Sequence, residues 1–101
     1  MEKKKAHYNL ILIKELIKSG DYRITKLAQN NAVLDFDYTE KQIIKIIEQL
    51  EPLDLYKSMT MQFDNTKWQD VYHKRTNTKQ TAYIKLQIIR NETIIIQFKE
   101  Q

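Results

Sequence analysis

The chain has 101 residues, a formal net charge of +4, one Gly (Gly20), one Pro (Pro52), no Cys and two His. A phosphate-cradling loop needs clustered glycines and a zinc ribbon or CxxC site needs cysteines, so both classes are excluded; His7 and His73 are too far apart for an HExxH-type zinc motif. No apolar run approaches the ~18 residues of a membrane span, and Lys14 and Glu15 interrupt Leu10–Ile13 before it could act as a secretory h-region, so the chain reads as one cytoplasmic domain over residues 1–101.

The first half has helical periodicity. Tyr8, Ile11, Leu12, Ile13, Leu16 and Ile17 form a wide stripe that ends at Ser19-Gly20, with Gly20 in the usual position after a helix. Arg23-Ile24 reads as a short strand. Thr25 can cap a helix over about Lys26 to Ala32. Thr39-Glu40-Lys41-Gln42 is a capping-box pattern, followed by Ile43, Ile46, Ile47 and Leu50 at helical spacing. That helix is expected to stop near Glu51, because Pro52 disfavours helical geometry in the residue before it.

Beyond Pro52 the period changes to that of strands. Four are expected, at Leu55–Gln62, Lys67–His73, Gln80–Ile89 and Thr93–Lys99, with connections short enough for antiparallel hairpins. The whole is an α+β fold: two or three helices on a mostly antiparallel C-terminal sheet. In the last hairpin, Ala82, Ile84, Leu86 and Ile88 alternate with Tyr83, Lys85 and Gln87. Placing Ile94, Ile96 and Phe98 on the same core face predicts a loop Arg90-Asn91-Glu92, with Tyr83 opposite Lys99 and Lys85 opposite Gln97. A phenol, two amines and an amide then lie within ~5–8 Å of one another on the polar face. Ile95 interrupts that face and is a candidate border for a base or a partner. The facing of Lys57, with Met59, Met61 and Phe63, is left open by the pattern. Trp68 is the better core candidate of its pair and Gln69 the better surface one.

Charge is segregated. Residues 31–56 are net acidic, whereas residues 1–30 and 57–99 are net basic, and the latter block interleaves its bases with Trp68, Tyr72 and Tyr83. Bases among aromatics suit a phosphate backbone with unstacked bases; an ordinary solvated basic surface is the plain alternative. Cleavage of RNA without a metal needs deprotonation of a 2′-OH, stabilisation of a phosphorane and protonation of the 5′-oxygen. Lys and Arg can supply the charge, and Lys crowded by other cations or Tyr can exchange protons. The acids of the strand half, Asp64, Asp70 and Glu92, are scattered, which fits a metal-free basic site with no cofactor better than a two-metal one. His73 could act as acid or base, or be plain surface. From the residues alone, a non-catalytic nucleic-acid-binding regulatory domain and a protein-interaction domain stand beside a ribonuclease.

Tyr56-Lys57-Ser58-Met59-Thr60, Asp64-x-Thr66-x-Trp68-Gln69-Asp70-Val71-Tyr72, Tyr83-x-Lys85 and Phe98-Lys99-Glu100 resemble the motility quorum-sensing regulator (MqsR) toxins. The resemblance covers nearly the whole chain and is strongest at residues 56–72. It implies a RelE-like mRNA interferase of a type II toxin–antitoxin pair, cutting mRNA at short GCN-like motifs without the ribosome. It implies as partner a zinc-binding, DNA-binding antitoxin of the MqsA type, so that DNA is met only through the partner. Carried over by motif, Lys57, Gln69, Tyr83 and Lys99 would be catalytic. Met59 would lie beside them, and Arg75, Lys74 and Lys85 would hold RNA. The chain departs from the family at Phe63-Asp64-Asn65, where Ser-Asp-His is common, and at His73-Lys74. Both departures bear on the RNA motif more than on activity.

Overall fold

The computed structural model describes residues 1–101. In chain order it contains β1 (Glu2–Lys3), α1 (Leu10–Lys18), β2 (Tyr22–Ile24), α2 (Lys26–Phe36) and α3 (Glu40–Glu48). A 3₁₀ turn (Pro52–Asp54) then leads to β3 (Leu55–Met61), β4 (Asp64–Arg75), β5 (Thr81–Ile89) and β6 (Glu92–Glu100). The six strands form one sheet in the order β1-β3-β4-β5-β6-β2, antiparallel except for β2 beside β6. The helices cover one face, giving the expected α+β architecture. No helix is long and apolar enough to cross a membrane.

Local signals account for the helix ends. The Asn9 side chain accepts from the backbone N–H groups of Ile11 and Leu12 to start α1, and Gly20 takes φ +84° after its end. Thr25 caps α2, which continues past Ala32 to Phe36 because Ala28, Ala32 and Phe36 recur at helical spacing and are all buried. The Thr39/Gln42 capping box forms as the pattern predicts, but α3 stops at Glu48, with Gln49 as its cap. Ile13 and Ile17 are the buried residues of α1, whereas Ile11 and Leu12 stay exposed, so its apolar stripe is wider than its contact.

The core lies between the helices and the inner face of the sheet. Ile13, Ile43, Ile47, Leu50, Tyr72, Ile84, Leu86, Ile95 and Phe98 are all at most 1 % exposed. Each such aliphatic or aromatic side chain contributes about 1.5–3 kcal/mol by leaving water. Trp68 also points to the inner side, but it is half-buried under the N-terminal segment, outside the core cluster.

The last hairpin differs from expectation near its turn. Arg90 and Asn91 both take positive φ, 50° and 61°, and make a two-residue turn with Glu92 already paired to Ile89. A bulge at Ile96 then absorbs one residue. Beyond the bulge the predicted register holds, with Tyr83 opposite Lys99 and Lys85 opposite Gln97. Before it the faces are exchanged: Ile95 pairs with Leu86 and is fully buried, so it borders no outside partner. The bulge is held by Thr25, whose hydroxyl donates to the Ile96 carbonyl at 2.8 Å and whose N–H donates to that of Ile95. Alongside the rest of β6, α2 supplies Asp35 to the Glu100 N–H at 2.8 Å and Asn31 to the Gln97 side chain at 3.0 Å. That edge is thereby covered rather than left as a template for another strand.

Candidate active site

The outer face of the sheet is assembled by alternation. On β4, Asp70, Tyr72 and Lys74 point to the helices, so Gln69, Val71, His73 and Arg75 point outward. Register then places Lys57, Val71, Lys85 and Gln97 in one row across β3–β6, and His73, Tyr83 and Lys99 in the next. Val71, fully buried beneath longer neighbours, is the floor. Lys57, whose facing the pattern left open, therefore belongs to this face.

The side chains converge. The Lys99 and Lys85 amines lie 5.1 and 5.9 Å from the Tyr83 ring centroid. The His73 ring is 5.8 Å from Tyr83 and stacks on Tyr56 at 4.3 Å, with planes 16° apart. Tyr56 reaches this position because an irregularity between Leu55 and Lys57 breaks the alternation of β3. Lys4 and Lys57 approach the Tyr56 ring at 5.0 and 5.5 Å. Such contacts fix cations over π-faces, and those of Lys4, Lys85 and Lys99 leave the N–H groups free for an anion, whereas the Lys57 amine already meets the Glu2 carboxylate.

Proton affinities follow from this packing. Burial lowers the Lys85 pKa, and the nearby Lys99 and Lys57 charges lower it further. Burial raises the Tyr83 phenol, with Lys57 opposing, and lowers the His73 imidazole. At neutral pH Tyr83 is therefore a proton donor and His73 a neutral acceptor. Lys57 is shifted the other way: the Glu2 carboxylate, delivered by β1, receives its amine at 2.9 and 3.1 Å and raises its pKa.

The structure thus gathers Lys57, Tyr83, Lys85 and Lys99. Gln69 and Met59, directly paired across β3 and β4, lie one row from Lys57 and Lys85, and Arg75 lies at the far end of the face. Lys74 is not brought in: strand alternation turns it to the helix side, where its amine pairs with Asp54 at 3.4 Å. His73, weighed from the sequence as an acid, a base or plain surface, joins this face through its spacing of two from Val71. Tyr56 carried no signal in the sequence, since only the backbone irregularity brings it there.

Asp70 is a structural counterpart to Gln69. Fully buried on the inner side, it accepts from Ser58 Oγ at 2.6 Å and from the backbone N–H groups of His7 and Tyr8 at about 3.0 and 2.9 Å. It fastens the N-terminal segment beneath the sheet, and that segment positions Glu2 against Lys57. Stacking of His7 on Trp68, with ring centroids 5.4 Å apart, adds to the anchor.

A three-helix layer backing a sheet whose open face carries amines, phenols, an imidazole and an amide defines a basic α+β domain equipped to hold a polyanion. Residues 5–100 match the family described as "Motility quorum-sensing regulator, toxin of MqsA". The chain is also 41% identical, over the full length of both proteins, to the mRNA interferase toxin MqsR of Escherichia coli (strain K12). The chain belongs to the motility quorum-sensing regulator toxins.

Proposed function

We propose that this protein is a RelE-like mRNA interferase, a toxin whose outer sheet face cuts single-stranded RNA without a metal. The observation that carries this reading is the convergence of three lysines and a half-buried tyrosine, from three strands, on one face of a regular sheet. Lys57 and Lys99 hold the phosphate and offset the charge that grows as it becomes pentavalent, and Lys85 holds the adjoining backbone. The 2′-oxygen bonds to phosphorus and its proton passes to the neutral His73. The bond from phosphorus to the 5′-oxygen breaks, and Tyr83 donates a proton to that oxygen. The products are a 2′,3′-cyclic phosphate and a 5′-OH, and Gln69 orients the substrate. By family likeness, the cut falls at GCN-like motifs and the toxin is restrained by an MqsA-like antitoxin that binds zinc and DNA.

The test is cleavage of a defined RNA by purified protein in EDTA. Wild type is expected to cut and leave cyclic phosphate ends. Lys99→Ala and His73→Asn are expected to be slower by about 10²–10⁴-fold. No cutting by wild type in EDTA, or undiminished cutting by both variants, overturns the reading.

A further inference from the structure

Next to the lysines, under the β3–β4 hairpin, lies a cavity of about 370 Å³ lined by Met59, Met61, Phe63, Gln69 and Lys85, among others. That volume is in the range of small-molecule sites, about 300–1,000 Å³. Its walls are unusual for this surface. Phe63 is 92 % exposed and Met61 37 %, whereas Gln69 is only 8 % exposed. The Gln69 side-chain amide makes no hydrogen bond within the protein, whereas its backbone carbonyl accepts from Ser58; because no buried polar side-chain atom lacks a partner, the amide tip reaches solvent at the cavity. An amide with a free donor and a free acceptor, flanked by Met59, Met61 and Phe63 in a lining that also holds Thr60, Gln62 and Asp64, is placed to pair with a ligand that supplies the complementary groups.

We infer that this cavity is a base-reading subsite, which takes one nucleobase of the RNA next to the cut phosphate. This rests on the ribonuclease reading above for its substrate and extends it to the choice of sequence. Three features single out a nucleobase. Phenyl and thioether groups offer polarizable flat contact to a π-face. The amide can meet a base edge with one donor and one acceptor, the pairing by which Gln reads adenine. Lys85 lines the cavity and also belongs to the cation cluster, so a base placed here has its phosphate at the lysines. The row carrying Met59 and Gln69 is two residues from the row of Lys57 and Lys85, roughly 6.6 Å at strand rise, a nucleotide-sized step. Gln87, itself buried, steadies the wall by donating to the Met61 sulfur at 3.7 Å.

The experiment compares wild type with Phe63→Ala and Met61→Ala, changes at exposed positions outside the reacting cluster. Cut sites in a randomised RNA pool are mapped by sequencing 5′ ends. In parallel, affinity is measured for 2′-O-methyl trinucleotides that differ only in base sequence and cannot be cut. The expected result is that both variants still cut, with base preference flattened at one position adjoining the cut and kept elsewhere. The preferred trinucleotide is expected to lose roughly tenfold in affinity to Phe63→Ala, and poor ones little. Unchanged cut preference together with unchanged trinucleotide discrimination in both variants overturns the subsite. If wild type cuts nothing, the ribonuclease reading falls on that result, and the trinucleotide arm decides the subsite alone: discrimination lost in Phe63→Ala supports it, and discrimination absent from wild type overturns it.

Discussion

Replacing Asp70 by Ala should release the N-terminal segment from the sheet and cost a large share of the stability of the fold. The carboxylate is fully buried and receives two backbone N–H groups and one hydroxyl. Truncation leaves the two backbone N–H groups without a partner and the Ser58 hydroxyl with only its long contact to the Gln69 carbonyl at 3.4 Å, at about 1–3 kcal/mol for each bond lost, and water entering the gap recovers part of that. A net loss of about 3–6 kcal/mol is expected, against a typical total of ~5–15 kcal/mol for a domain. Since 1 kcal/mol shifts the midpoint of a domain this small by about 4–8 °C, Tm should fall by at least ~12 °C. Asn in place of Asp keeps the shape and one acceptor oxygen but turns an NH₂ group toward donors, and should cost about 1–3 kcal/mol. Urea titration followed by circular dichroism gives the free energies, and hydrogen exchange at the His7 and Tyr8 amides shows whether the anchor has opened. A loss below about 1 kcal/mol for the Ala variant, or unchanged protection of those two amides, would refute the reasoning.

Affinity for an uncleavable 2′-O-methyl RNA should fall on the alkaline side with a midpoint below the usual lysine value of ~10.4, because burial and two like charges favour loss of the Lys85 proton. Lys99→Gln removes one of those charges, so the midpoint should move up while overall affinity drops; a midpoint that stays or moves down contradicts the assigned cause. The turn at Arg90-Asn91 holds two non-glycine residues in left-handed conformations. The double change Arg90→Asn with Asn91→Gly suits that turn and should stabilise the protein by about 1 kcal/mol in the same urea titration; a loss of stability would mean that the Arg90 side chain makes contacts that outweigh the relief of backbone strain.

The lower half of the last hairpin was legible because Tyr83, Lys85, Gln97 and Lys99 alternate cleanly with Ala82, Ile84, Leu86 and Phe98. The upper half was not, because Ile94-Ile95-Ile96 carries no alternation and a bulge is silent in such a run. A turn built without glycine hid its own length for the same kind of reason: Arg90 gives no sign of a positive φ. The Thr39 capping box was legible because its partners are three residues apart, whereas the pairing of Glu2 with Lys57 joins residues far apart in the chain and leaves no local trace. Gln69 was read as surface and lies on the open face, yet it is nearly buried there, since neighbouring long side chains close over it. Lys74 was expected, with Arg75 and Lys85, to hold the RNA backbone, and strand alternation sends it to Asp54 instead.

In β4 consecutive residues serve different masters: Gln69 faces the open side and Asp70 anchors the fold, one residue apart. A deletion or insertion of a single residue in this strand would exchange the two, putting a carboxylate among the lysines and an amide beneath the N-terminal segment. Substitutions at the exposed Met61 and Phe63 carry no such penalty. Met61 and Phe63, which line the β3–β4 cavity, are exposed and make no hydrogen bond to Asp70, so other side chains can stand there without opening that anchor. On the base-reading proposal, related toxins can then differ in the RNA sequences they prefer while sharing one scaffold.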